Sequence, residues 1–387
     1  MGVRHTVKSR PSYPIPDPQL KPHRVAVVGD GTAGHVYPAL AIADAYKQAC
    51  DTADLLFIGI PDNFAARLAP THGYRLALVQ GGPLFGVGLV GKLSTLWRLG
   101  IGIQQARQII RAAQLRLVIG VGGYASAPAL LAAKSLGLST AIYEANTVPG
   151  LTNRLLGHTV DRVYLGFAAA SRAFPEGRTL VTGNPLRPQI LAVGSETRMP
   201  PHGANRPIRI LVTGGSLGAP FLNYQVPELL RQVTARGLAL TVQHQAGGTD
   251  PTLIHRAYAH AGIPAVVMPY FDDIAAAYRW ADFAITRAGA GTIAELAISS
   301  LPALLVPLPH GPGNHQVTNA LAFVGAGGGW CVEEKDWHRE ALTEQLVRIF
   351  TDAAVWTTVS QRARQFATPY AAHAIVTDCE TLMLGRW

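Results

Sequence analysis

The sequence predicts two α/β domains in tandem, each a parallel sheet covered by helices on both faces. Three observations predict it. Short apolar, β-branched runs alternate with helical stretches along nearly the whole chain. A strand, a glycine turn and a helix open the structured part at residues 24–46, RVAVVGDGTAGHVYPALAIADAY. The same unit recurs at residues 209–230, RILVTGGSLGAPFLNYQVPELL, with Gly214 lying 185 residues after Gly29.

The elements follow in order. Residues 1–23 carry Pro11, Pro14, Pro16, Pro18 and Pro22 and no apolar signal core, so a flexible, extended arm is expected there. Arg24 to Val28 suits a buried parallel strand. The helix behind it is expected from Pro38 onward, with Leu40, Ile42, Ala43 and Tyr46 on one face. Further strands are expected at 55–60, 76–82, 117–123, 140–146 and 162–167. Residues 194–207, GSETRMPPHGANRP, read as a linker. Beyond the second opening unit, strands are expected at 240–246, 265–270, 283–286 and 303–309. Two Rossmann-like domains result. Ligands of such sheets bind at the carboxyl ends of the strands, so both sets of glycine loops should face a common cleft.

Composition narrows the function classes. A chain of 387 residues suits two or three domains. Cys50, Cys331 and Cys379 form no CxxC pair, which rules out a disulfide scaffold or zinc ribbon and suits a reducing compartment. The net charge of +9 points to anionic partners: phosphates, nucleic acid or an anionic membrane. The longest near-apolar stretch, Leu84 to Ile103, is interrupted by Lys92 and Arg98, so no bilayer-spanning helix is expected. With no export signal, the cytoplasm is the expected compartment.

Three glycine turns carry the chemistry. The first, Gly29-Asp30-Gly31-Thr32-Ala33-Gly34-His35, satisfies GxGxxG, and the acidic residue that dinucleotide folds want about 20 positions on is missing or misplaced. The glycines also serve plain helix–strand packing. His35 adds a titratable group at a helix N-terminus, where phosphate is attracted and a hydroxyl proton can be taken. The second turn is Gly122-Gly123-Tyr124-Ala125-Ser126, and the third is Gly214-Gly215-Ser216-Leu217-Gly218. Two such loops in one domain and one in the other imply two phosphate-bearing ligands. Thr292 and Glu295 fit a capping box; alternatively Glu295 accepts hydrogen bonds from ribose hydroxyls. Asn314, His315, Gln316 and Asn319 lie in a Gly/Pro-rich loop, as turn formers or as readers of sugar hydroxyls. No Asp-x-Asp, HExxH or GxSxG occurs. A small phosphate-ligand enzyme is therefore expected rather than a nucleic-acid enzyme.

Eight ordered motifs carry a family resemblance: GTAGHVYPALAIA, GVGGYASAPALLAA, YEANTVPGLTNRLL, GNPLR, TGGSLGAPFLN, HQAG, YFDDIAAAYRWADFAITRAGAGTIAEL and NHQVTNA. In this order they resemble the MurG family of UDP-N-acetylglucosamine:lipid I N-acetylglucosaminyltransferases of peptidoglycan synthesis. The resemblance implies a GT-B fold with an acceptor- and membrane-binding domain at 24–185, a UDP-sugar domain at 186–365, and a helix within 366–387 packing back on the first domain. It implies inverting transfer with no metal or other cofactor. On the donor side it implies Ser216 and Arg187 at the diphosphate, the Ile274 backbone at uracil, Glu295 at the ribose, Gln316 and Asn146 at the sugar, and Thr292 with Thr32, Ala33 and Gly34 lining the site. Gly34, His35, Gly122, Gly123 and Tyr124 would hold the acceptor diphosphate, with His35 the candidate base. The partners implied are UDP-N-acetylglucosamine, lipid I and the cytoplasmic face of an anionic membrane, with no nucleic acid. Tyr143-Glu144-Ala145-Asn146 replaces the family's frequent His-Glu-Gln-Asn, and Ala33 replaces a usual glycine. A related transferase with another lipid or antibiotic acceptor, or a UDP-sugar epimerase, is the alternative; an NAD-dependent oxidoreductase is the reading from another class.

Leu84, Phe85, Leu89, Lys92, Leu93, Trp97 and Arg98 belong to one apolar stretch carrying two cations. It is either a core-facing helix with snorkelling cations or an interfacial patch for an anionic membrane.

Overall fold

The computed structural model describes residues 23–31, 33–82, 89–201, 206–309 and 311–384, with backbone only at 89–93 and 312. The expectations at Thr32, Leu84, Phe85 and residues 1–22, and at the side chains of Leu89, Lys92 and Leu93, lie outside the described residues.

The first domain alternates strand and helix: β1 (Arg24–Gly29), α1 (Ala33–Ala49), β2 (Asp54–Gly59), α2 (Phe64–Thr71), β3 (Arg75–Leu78), α3 (Leu89–Ala112), β4 (Leu117–Gly122), α4 (Ser126–Ser135), β5 (Ser139–Glu144), α5 (Leu151–Leu156), β6 (Arg162–Leu165) and β7 (Thr179–Val181). All seven strands pair in parallel, in the order β3-β2-β1-β4-β5-β6-β7. The residues of β4 and β5 are buried throughout, as a sheet covered on both faces requires.

The second domain runs α6 (Pro188–Val193), β8 (Ile208–Thr213), α7 (Pro220–Ala235), β9 (Leu240–Gln245), α8 (Pro251–His260), β10 (Ala265–Met268), α9 (Ile274–Trp280), β11 (Phe283–Thr286), α10 (Ala290–Ile298), β12 (Ala303–Leu305), α11 (His315–Gly325), β13 (Gly329–Cys331), α12 (Arg339–Thr351), α13 (Ala353–Phe366) and α14 (Ala371–Leu384). Its parallel sheet has the order β10-β9-β8-β11-β12-β13. Strands β7 and β13 are edge strands of three residues, too short for their periodicity to stand out in the sequence.

Strand order reverses between β1 and β4 in one sheet and between β8 and β11 in the other. The segments between these four strands and the helices behind them include Asp30–Gly31, Gly123–Tyr124, Gly214–Gly218 and Ala288–Gly289. Diverging connections open a crevice at such switch points. The glycine turns of each domain therefore lie at the switch point of its own sheet.

The last helix crosses back. Ile375, Val376, Cys379 and Met383 of α14 join the core of the first domain with Val36, Leu40 and Tyr164. Arg162 Nε lies 2.7 Å from Asp378, whose carboxylate also accepts from the Tyr164 hydroxyl at 2.9 Å. His23, read from the sequence as part of the flexible arm, is buried 2.8 Å from Glu380 of α14. The ordered fold therefore includes residue 23. A two-way clasp of this kind couples the chain's last helix to the domain that begins it.

Candidate active site

Helix α1 begins at Ala33, not at Pro38. Pro38 sits in its second turn, where a missing N–H removes only the bond to Gly34. Ala33, Gly34 and His35 are therefore the first helical turn, and the glycine turn is correspondingly short. His35 is half-buried, with Nδ1 3.1 Å from the Asp30 carbonyl. A carbonyl can only accept, so Nδ1 carries the proton and Nε2 is left as the acceptor. A Cβ on Gly122 would lie 2.6 Å from His35 Cδ2 and 2.9 Å from Nε2. The second glycine turn thus closes on the imidazole, and Gly122 at φ 123° has no room for a side chain. Tyr124 next to it is exposed.

A second cluster bridges the domains. Arg187, the N-cap of α6, lies 3.6 Å from Glu295 of α10 and stacks 3.9 Å from the ring centroid of Tyr37 in α1. The Tyr37 and Tyr270 hydroxyls share a hydrogen bond of 2.8 Å. Of the two readings of Glu295, the capping box with Thr292 is not formed. Gly289 is the N-cap of α10, which places Thr292 in the first turn and Glu295 a turn too late to cap. Glu295 instead accepts from the Tyr278 hydroxyl at 2.9 Å. Burial pushes its carboxyl above the usual range, against the pull of Arg187 and the Tyr278 hydroxyl. The N-terminus of α10 has no side-chain cap, so its first N–H groups are available to an anion. Glu295→Gln keeps the Tyr278 contact and loses the charge. If Glu295 meets a ribose, as the resemblance implies, this variant should show a several-fold higher KM for the UDP-sugar at an almost unchanged unfolding temperature; an unchanged KM would remove Glu295 from that role.

The end of β5 makes a third bridge. Glu144 accepts from the Asn146 and Gly150 N–H groups at 2.9 and 3.1 Å and from Asn153 Nδ2 at 2.8 Å. This holds the YEAN turn in shape. Asn146 Oδ1 accepts from Asn319 Nδ2 of α11 at 3.0 Å, while Asn319 Oδ1 accepts from the Thr147 N–H at 2.9 Å. Asn146 is half-buried at this crossing, with its amide divided between Glu144 and Asn319. Gln316 Oε1 accepts from the Ala288 and Leu308 N–H groups at 3.2 and 3.0 Å. Arg287 supports the same loop through the carbonyls of Val306 and Pro307, each 3.1 Å away, and through Glu334 at 2.5 Å.

Ser216 is exposed on the turn before α7, whose N-terminus also lacks a side-chain cap. Gly218 lets this turn meet the next one: a Cβ there would sit 2.5 Å from the Ala246 carbonyl oxygen. Buried His244 anchors that neighbouring turn. Its Nε2 donates to Asn223 Oδ1 at 3.0 Å, its Nδ1 accepts from the Tyr258 hydroxyl at 2.9 Å, and Asn223 donates to the Ala246 carbonyl. Burial pushes the His244 imidazole down to about 3 from 6.5. The unfolded chain therefore binds a proton that the folded chain refuses, and stability falls as pH drops from 6.5 toward 3. At about 1.4 kcal/mol per unit, His244 contributes on the order of 5 kcal/mol across that window. Urea midpoints measured from pH 7 to 4 should fall steeply, and His244→Gln should flatten the curve. Equal slopes in both proteins would sink this assignment. Ile274 opens α9 half-buried, beneath an Asp273 side chain that caps the Ala276 N–H at 2.9 Å.

The sequence reading missed Tyr37, Tyr270 and Thr147. Tyr37 lies two residues beyond His35, on a helix the sequence reading started too late. Tyr270 and Thr147 gain meaning only from partners in the other domain.

Comparison with known proteins places these features in a family context. The model of the glycosyltransferase family 28 N-terminal domain matches residues 25–165, and that of its C-terminal domain matches residues 209–375. A protein of Magnetococcus marinus, named UDP-N-acetylglucosamine--N-acetylmuramyl-(pentapeptide) pyrophosphoryl-undecaprenol N-acetylglucosamine transferase, is 38% identical, covering 92% of this chain and 96% of its own. A protein of the same name from Chromohalobacter salexigens is 39% identical over the same shares. The crystal structure of Acinetobacter baumannii MurG superposes with a TM-score of 0.75 at 29% identity, covering 92% of this chain and 99% of that one. A UDP-N-acetylglucosamine 2-epimerase shares the fold alone, at 14% identity and a TM-score of 0.62.

Proposed function

The chain belongs to glycosyltransferase family 28, in its MurG branch, and from that premise we propose that it transfers N-acetylglucosamine from UDP-N-acetylglucosamine to the C4 hydroxyl of N-acetylmuramic acid in lipid I, giving lipid II. The observation that carries this reading is end-to-end likeness to transferases of that name, at 38–39% identity over 92% of the chain. The distant likeness to an epimerase concerns the fold alone.

The reaction needs a base, a route out for UDP and a charge sink. The acceptor oxygen attacks the anomeric carbon, the bond from that carbon to the UDP oxygen breaks, and configuration inverts. His35 Nε2 takes the hydroxyl proton. Arg187 and the uncapped N-termini of α7 and α10 balance the diphosphate charge, so we propose that no metal is required. Glu295 accepts from the ribose, the Ile274 backbone meets uracil, and Gln316 and Asn146 meet the sugar. Thr292, Ser216, Ala33 and Gly34 line the diphosphate path, and Gly122, Gly123 and Tyr124 flank the acceptor.

Incubation with UDP-N-acetylglucosamine and lipid I tests the reading. Disaccharide lipid and UDP should appear in equal amounts, unaffected by EDTA. Epimerised sugar without acceptor would sink it, as would thermal stabilisation by NAD instead of the UDP-sugar.

Because lipid I is membrane-bound, we further propose peripheral attachment at the cytoplasmic face through the α3 region. Trp97 is 74% exposed and Leu96 is 57% exposed, with Arg98 beside them, and no described helix is long and apolar enough to cross a membrane. Apolar side chains exposed beside cations suit an anionic head-group region, where each basic residue contributes about 1 kcal/mol. Leu96→Ser with Trp97→Ser is expected to weaken binding to phosphatidylglycerol vesicles at least ten-fold, as loss of two interfacial apolar side chains implies, without altering UDP-sugar affinity. Undiminished vesicle binding would move the contact elsewhere.

A further inference from the structure

Asp30 sits in the x position of the first glycine turn, where sequence reasoning assigned it no role. It is fully buried. Its Oδ2 accepts from the Ala125 N–H at 2.9 Å, and the Tyr124 amide also acts on the carboxyl. Ala125 is the N-cap of α4 and has no side-chain cap of its own. Asp30 therefore caps α4 from another loop, through the positive end of that helix. Oδ1 has no hydrogen-bond partner of good geometry. A Cβ on Gly123 would lie 1.4 Å from Oδ1, just as one on Gly122 would meet His35. The two glycines of the second turn thus each accommodate one side chain of the first. The His35 imidazole acts on the Asp30 carboxyl electrostatically, pulling its pKa down against burial. The carbonyl of Asp30 is also what holds the proton on His35 Nδ1.

We propose that Asp30 is a positioning residue for proton transfer: its carbonyl fixes the His35 tautomer, its carboxylate stabilises the imidazolium formed during transfer, and its cap on α4 holds the second glycine turn against the imidazole. The inference rests on His35 being the base. The proton leaving the acceptor hydroxyl goes to Nε2, and the positive charge so created is offset by a carboxylate already in place. Burial raises the pKa of that carboxyl, while the Ala125 amide, then His35, then the Tyr124 amide hold it down, so its charge is favoured when His35 gains a proton. A carboxylate at the N-terminus of α4 also opposes an acceptor phosphate there, which directs the diphosphate toward the α1 side of the turn.

Asp30→Asn tests the charge while keeping an oxygen for the Ala125 N–H. Its kcat is expected to be several-fold lower, with the acid limb of the kcat–pH profile displaced from that of the parent and UDP-sugar affinity unchanged. In the unmodified protein, ¹⁵N spectra compared with those of His35→Gln should show His35 with its proton on Nδ1. A coincident pH profile in the Asn variant, or a proton on Nε2, overturns the proposal. If His35→Gln itself keeps full activity, the base assignment fails, and that outcome is distinct from failure of the Asp30 role alone. The tautomer measurement needs no Asp30 variant to fold.

Discussion

His35→Ala is expected to lower kcat by roughly 10²–10⁴-fold, the range removed with a general base, while UDP-sugar affinity stays within a few-fold of the parent. The argument is geometric. Nδ1 is committed to the Asp30 carbonyl, so Nε2 is the free basic atom, and it lies beside Gly122 at the switch point between β1 and β4. The ring is half-buried in the first turn of α1, so its removal trims no packed core. Steady-state kinetics with lipid I, together with calorimetric binding of UDP, separate the two effects. A variant retaining more than a tenth of parent kcat would remove His35 from the proton path.

The second large effect is expected at Arg187. Arg187→Ala should raise donor KM by about 10- to 150-fold, corresponding to roughly 1.5–3 kcal/mol for a hydrogen bond to a charged group. Its guanidinium is held over the Tyr37 ring from one domain and beside Glu295 from the other, and the proposed diphosphate contact would find it already ordered. Without it, the Glu295 carboxyl keeps only the Tyr278 hydroxyl as partner in this cluster, and loss of the cation that opposed burial raises its pKa further. Arg187→Lys should recover only part of the loss, since an ammonium cannot stack flat on Tyr37 while reaching both anions. Binding titrations with UDP and UDP-N-acetylglucosamine check this. Equal affinities in parent and Ala variant would exclude Arg187 from the donor site.

Much of the fold was legible because it is locally encoded. The β-branched run Arg24 to Val28 marks a strand by its neighbours alone, and Gly214-Gly215-Ser216-Leu217-Gly218 marks a turn by conformational freedom at Gly215 and Gly218, both at positive φ. The errors were local too. Pro38 imitated a helix start, so α1 begins five residues earlier than read and His35, already placed at a helix N-terminus, lies inside its first turn. Thr292 and Glu295 had capping-box spacing, but helix α10 starts earlier than that motif assumes. The resemblance placed Asn146 and Gln316 among the site residues without revealing their partners. Asn146 meets Asn319 across the cleft, and Gln316 Oε1 ties two backbone N–H groups of its own domain.

By itself, the sequence determined two α/β units, their glycine turns and the faces that must be buried, since period and composition depend on residues a few positions apart. Strand order was beyond it, because parallel strands pair through long crossovers whose alternatives have the same hydrophobic pattern. Only the tertiary structure set β4 beside β1, brought Gly122 against His35 and Gly123 over Asp30, and laid Arg187 between Tyr37 and Glu295. Those contacts join segments far apart in the chain or in different domains. A side chain's own neighbours in sequence specify that it must find a partner, while the packing of the whole chain selects which one is within reach.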